Sequence, residues 1–181
     1  MNRGMPALQE ISESLIRGQI LRAVPDVFKT MLGLPAVLTE RDKDQAEPWP
    51  PLSPVPNDPK PHIVGTVGFL GDASGLIYIY LEEAFAAQCT ASLLGMTAAE
   101  LKEAGPETVN DAVGELTNMI VGVFKNGLCD SGFSCKLTIP SILRGSNFCV
   151  ASTGTSRRFT YSFEVTGRRV VADILMKTDE S

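Results

Sequence analysis

Between Thr39 and Pro61 the chain carries seven prolines, Pro48, Pro50, Pro51, Pro54, Pro56, Pro59 and Pro61. Each removes a backbone donor and fixes φ, so this stretch is expected to be an extended surface loop or linker rather than a helix or a central strand. The regular structure must then come from the residues on either side. The expected division is an N-terminal helical part at 1–38, a Pro-rich insertion at 39–61 and the remainder of the same domain at 62–178, within the single-domain range for 181 residues. Trp49, the one tryptophan, lies inside the insertion and is read either as a docking residue or as a ring folded back onto the domain.

On the N-terminal side, Leu15, Ile16, Ile20, Val24, Val27, Phe28, Met31 and Leu32 recur at helical spacing, interrupted by Pro25 and stopped by Gly33 and Pro35. This predicts an amphipathic helix with a break or kink near Pro25. Beyond the prolines, Ile63–Leu70 and Leu76–Leu81 flank a turn of small residues and predict a hairpin. A helix is expected from Glu82 to Leu94. A second runs from about Glu107 to Asn126, with Thr108 and Asp111 in capping-box-like spacing and Gly127 as its C-terminal stop. The remaining strands are expected at Cys135–Ile139, Phe148–Ser152, Phe159–Val165 and Arg168–Met176. Phe159, Tyr161, Phe163 and Val165 alternate strictly with polar residues, the period of a strand with one buried face. Helix, two strands, two helices and then several strands predict an α+β fold in two layers, a mainly antiparallel sheet with long helices packed on it.

Charge and composition narrow the function. A formal net charge of −5 argues against nucleic acid as a partner, because affinity for a polyanion comes from neutralised phosphates. The single histidine, His62, excludes any site built from two imidazoles, and it reads as a strand-edge residue with no catalytic role. Cys89, Cys129, Cys135 and Cys149 show no C-x-x-C spacing and read as thiols in a reducing, cytoplasmic compartment. No membrane span is expected.

The chemistry concentrates on one predicted helix. At about 100° per residue, taking Asp111 as zero, Glu115 falls near 40°, Asn118 near −20° and Gly122 near 20°. Val109, Val113, Leu116, Ile120, Val123 and Phe124 gather at the opposite pole. The helix should bury an aliphatic face and present a carboxylate, an amide and a small residue together. Any surface helix has this pattern. Gly122 is the additional signal, because glycine costs about 1 kcal/mol in a helix interior and is expected where another backbone comes close.

The run DAVGELTNMIVGVFK resembles the signature helix of the CheC/CheX family of chemotaxis phosphatases. Asp111, Glu115 and Asn118 match its acidic, Glu and Asn positions, and Gly122 matches the glycine that commonly follows. Pro140 is the candidate for the downstream proline, one residue nearer to Asn118 than the usual spacing. Only one Glu-x-x-Asn copy fits, so the chain is similar to the single-site CheX type. The resemblance covers the chain apart from Thr39–Pro61. It implies a CheX-like fold, a homodimer, and hydrolysis of the phosphoaspartate of a phosphorylated CheY-like response regulator. It implies Asn118 as the residue that places the attacking water and Glu115 as the acceptor for the regulator's lysine. Asp111, Gly122 and Pro140 would belong to the docking surface. No cofactor of its own is implied, the Mg²⁺ being held by the response regulator. The other reading is a response-regulator-binding or dimerisation module of the same fold without turnover. An exposed edge among the C-terminal strands is the expected place for a dimer contact.

Overall fold

The computed structural model describes residues 11–42, 58–151 and 156–177. Trp49 and most of the Pro-rich segment lie outside the described residues. The first helix, α1 (Glu13–Val27), starts where the Ser12 hydroxyl accepts from the Leu15 N–H at 3.2 Å. It continues through Pro25 without breaking. The break expected near Pro25 does not occur; beyond Val27 the chain widens into a π-helical turn over Phe28–Leu32, closed by Gly33 at φ 67°. Ile16, Ile20, Ala23, Val24, Val27 and Phe28 are buried along one face.

Strand β1 (Val37–Asp42) follows, so the first residues of the stretch expected to be a loop lie in the sheet, Glu40–Asp42 paired with β6 and Thr39 at a register irregularity. The hairpin is as expected: β2 (His62–Gly71) and β3 (Gly75–Glu82) pair antiparallel from His62 opposite Glu82 to Phe69 opposite Gly75. Helix α2 (Glu83–Leu94) ends at Gly95 in the left-handed conformation. A short helix that the residue pattern does not predict, α3 (Ala98–Ala104), is held by a complete capping box between Thr97 and Glu100.

Helix α4 (Pro106–Asp130) is longer than predicted at both ends. It starts with Pro106 in the first turn, where its missing N–H costs nothing. Thr108 does not cap it; its hydroxyl donates to the Ala104 carbonyl at 3.3 Å. Gly127 does not stop it either. It is a buried glycine facing α1, and a Cβ there would collide with the Gln19 side chain. The glycine is there for helix packing, and the helix ends a turn further on.

The other strands are β4 (Cys135–Leu137), β5 (Ser141–Gly145), β6 (Ser156–Val165) and β7 (Arg168–Lys177). The strand expected at Phe148–Ser152 is not formed over the described residues Phe148–Ala151. The ladder runs instead through Ser141–Gly145, which pairs with β2, while Phe148 sits edge-on to Tyr80 with ring centroids 6.1 Å apart. All seven strands form one antiparallel sheet in the order β1-β6-β7-β3-β2, with β4 and β5 both on the outer edge of β2. The last two strands are therefore interior, and the edges belong to β1 and to β4 and β5. The fold is α+β, with the helices on one face of the sheet.

Alternation decides which face each strand residue takes. Phe159, Tyr161, Phe163 and Val165 from β6, with Val170, Ala172, Ile174 and Met176 from β7, enter the core under α1 and α4. The opposite face is more polar. There Arg158 grips the fully buried Asp173 with two nitrogens, at 2.9 and 2.8 Å, and donates to the Val150 carbonyl at 2.9 Å, tying the segment after β5 to the sheet.

Candidate functional site on helix α4

The 3.6-residue period of α4 sorts its side chains as the wheel predicts. Val109, Val113, Leu116, Ile120 and Phe124 are buried against the sheet and α1, and Val123 is half-buried. Asp111 and Glu115 are exposed on the outer face, with Asn118 and Gly122 half-buried beside them. Among the described residues, none of Asp111, Glu115 and Asn118 has a side-chain hydrogen bond or an ion pair. Asp111 lies in the second turn, while Glu107 is the first-turn acid. The dipole at the helix N-terminus, which fades within one turn, does not account for Asp111.

The backbone approach expected at Gly122 does not occur within the described chain: a Cβ there meets nothing within 4 Å. The close approaches are at two other glycines. Gly65 on β2 faces Thr117 of α4, and a Cβ on Gly65 would overlap the threonine hydroxyl. Thr117 is fully buried and donates to the Val113 carbonyl at 2.7 Å. Gly114 lies one turn before Asn118, and a Cβ there would stand 3.9 Å from Pro140 and 3.8 Å from Ile142. The connector between β4 and β5 thus borders the outer face of α4, and Pro140 is brought beside the ridge that carries Asn118.

That connector is fixed on both sides. The Gly68 N–H donates to the Thr138 hydroxyl and the Thr138 N–H to the Gly68 carbonyl, each at 2.9 Å. Beyond it, Arg144 on β5 makes three contacts: Nε to Asn110 Oδ1 at 2.6 Å, Nη1 to Glu83 Oε1 at 2.6 Å and Nη2 to the Pro106 carbonyl at 3.0 Å. One guanidinium therefore joins β5 to the starts of α2 and α4. Sequence reasoning missed Arg144, because its partners are 34, 38 and 61 residues away. It also missed Gly65, although a glycine inside an aliphatic strand is a signal of close backbone approach.

The other flagged residues lie elsewhere. His62 is buried at the start of β2, between Glu82 on β3 and Gly145 on β5, with Nδ1 2.8 Å from the Lys60 carbonyl and Nε2 3.6 Å from Asp58. None of the four cysteines forms a disulfide. Burial pushes the Cys89 thiol up to about 12 and the Cys135 thiol up to about 11. Among the described residues no three His, Cys, Asp or Glu side chains gather into a metal-binding group, and no helix is long and apolar enough to cross a membrane.

An antiparallel sheet covered on one face by two long helices, one of them presenting a Glu-x-x-Asn pair outward, defines the class. The family model described as chemotaxis phosphatase CheX matches residues 63–164. The chain belongs to this CheX family. Similar solved structures include a CheC-like superfamily protein from Shewanella sp. PV-4, 22% identical with a TM-score of 0.71, covering 92% of this chain and 100% of that one. The chemotaxis protein CheX from Vibrio vulnificus is also 22% identical, with a TM-score of 0.71 and coverage of 90% and 99%. A CheX–CheY–BeF3–Mg²⁺ complex from Borrelia burgdorferi is similar at 21% identity and a TM-score of 0.65, covering 90% of this chain and 98% of that one. A search of curated protein sequences finds no match.

Proposed function

We propose that the protein hydrolyses the phosphoaspartate of a CheY-like response regulator by holding a water in line with phosphorus. The observation that carries this reading is the set of polar groups on the outer face of α4, Asp111, Glu115 and Asn118, left without partners among the described residues on a helix whose inner face is locked to the sheet. Family membership and the similarity to a CheX bound to CheY support it.

An acyl phosphate is reactive already, so catalysis reduces to orienting water and stabilising charge in a loose transition state. The Asn118 amide is suited to orienting the water, since its carbonyl accepts from the water while its NH₂ donates to a phosphoryl oxygen. Glu115, three residues earlier on the same face, accepts from a lysine of the receiver domain and fixes the docking register through a charge-assisted bond. Asp111 adds to the attraction for that cation, and Pro140 borders the docked surface. The Mg²⁺ and the phosphoryl group both arrive with the partner.

The test is the decay of phosphorylated receiver domains from the same organism with the wild type and with Asn118→Ala. Acceleration by the wild type that disappears in Asn118→Ala while binding persists is the expected result. Equal decay with and without the wild type, for every receiver tried, overturns the enzymatic reading.

A further inference from the structure

Next in the chain to Pro140, which borders α4 at Gly114, is a hydrophobic side chain that the fold leaves uncovered. Ile139 is 86% exposed, more than any other large hydrophobic side chain among the described residues. Its neighbours in the chain are both engaged, Thr138 by two hydrogen bonds with Gly68 and Pro140 beside Gly114 of α4. Ile139 is therefore presented from a braced backbone, one residue from the proline that borders the helix carrying the unpartnered polar groups. An apolar side chain on a backbone already fixed pays only its own rotamer entropy when it docks.

We infer that Ile139 is the apolar anchor of the docking surface, and that its occupant is a protein surface with an apolar patch beside a cationic group. This rests on the function proposed above and specifies the receiver domain's surface. Charge selects that occupant over the alternatives. Asp111 and Glu115 are unpaired among the described residues, and the neighbouring Arg144 is already engaged by Glu83 and Asn110. A second copy of a chain with net charge −5 would bring like charges to this face, and an anionic lipid surface would be repelled from it. A lysine-bearing surface is complementary.

Ile139→Ala in the full-length protein tests the inference. The probe is a panel of CheY-type receiver domains from the same organism, loaded with beryllofluoride and Mg²⁺ for calorimetry and with phosphate for turnover. Deleting a docked aliphatic anchor should weaken Kd and raise KM by roughly tenfold, with kcat within about twofold and the urea midpoint unchanged. Ile139→Val should recover most of the affinity. Leu94→Ala, an exposed leucine at the end of α2, should bind as the wild type does. An unchanged Kd in Ile139→Ala, with turnover still abolished by Asn118→Ala, overturns the anchor and leaves the proposed function standing. A loss of kcat without a change in Kd, or a change in oligomeric mass, also overturns it. A wild type that neither binds nor dephosphorylates any receiver overturns the proposed function and the anchor with it.

Discussion

Gly65 and Thr117 meet so closely that position 65 admits no side chain: a Cβ on Gly65 would overlap the Thr117 hydroxyl. Thr117 lies between Glu115 and Asn118 on the helix and points the other way, into the sheet. The height of the candidate site above the sheet is set by the absence of one carbon atom on the strand beneath.

Gly65→Ala should therefore destabilise the fold by about 1–3 kcal/mol, the usual cost of overpacking, read as a lowered urea midpoint. Adding Thr117→Ala should recover part of the loss, because it removes the hydroxyl and methyl that the new Cβ meets. A double variant no more stable than Gly65→Ala would show that the strain lies elsewhere.

Gly122→Ala should act in the opposite direction. Space is open around this helix-interior glycine, so alanine is expected to stabilise the protein by about 0.5–1 kcal/mol. If a partner's backbone docks at Gly122, the same variant binds the receiver more weakly despite its higher stability. Thermal melts and calorimetry on one preparation check both effects.

Arg144→Ala removes three contacts that join β5 to the starts of α2 and α4. The side chain is partly exposed, so a cost of about 1–2 kcal/mol is expected rather than the larger cost of breaking a buried pair. Arg144→Lys should restore little, because one ammonium cannot reach three acceptors arranged around a planar fork. Hydrogen exchange should show the extra opening concentrated in the first turns of α4, at the amides of Glu107–Asn110.

Glu115→Lys should abolish receiver binding, replacing the acceptor for a lysine by a like charge. Glu115→Gln, which keeps an acceptor but loses the charge, should weaken binding about tenfold, and rising salt should narrow the gap between Gln and wild type. Titration calorimetry at two salt concentrations separates the two variants.

Alkaline pH should loosen the core through its thiols. Cys89 and Cys135 have folded values raised to about 12 and about 11 from 9.0. Their contribution is fully present below pH 9 and is lost as pH rises towards those folded values, because only the unfolded state ionises in that window. The loss should be larger for Cys89, whose folded value is raised further. Urea midpoints measured from pH 8 to 10.5 should fall, and Cys89→Ala should flatten the slope.

What could be read from the sequence was what local geometry determines. The alternation in Phe159–Val165 identified a strand and its core-facing side chains, but not that Thr160 and Ser162 on the other face are buried as well, bonded to Asp173 and Arg169. The spacing of Asp111, Glu115 and Asn118 placed them on one helix face whatever the helix packs against. The errors came where a residue's role depends on a distant partner. Gly127 has the look of a helix stop, but Gln19 of α1 makes it a packing glycine. Ser141–Gly145 shows no clean alternation and is a strand because the outer edge of β2 pairs with it. Phe148, in a run rich in strand formers, serves Tyr80 on the far face of the sheet instead. Pro140 could be nominated only by resemblance, since nothing local indicates that it lies beside Gly114.

Strand β2 touches every part of the candidate site. It supports α4 at Gly65, pairs with β4 through Phe69–Gly71 and with β5 through His62–Thr66, and bonds Thr138 in between. Helix and connector are thus referenced to one strand, while the side chain at position 139 contributes nothing to that framework. If Ile139 is the anchor inferred above, changes at this one solvent-facing position would alter how tightly a partner is held with no compensating change in the core.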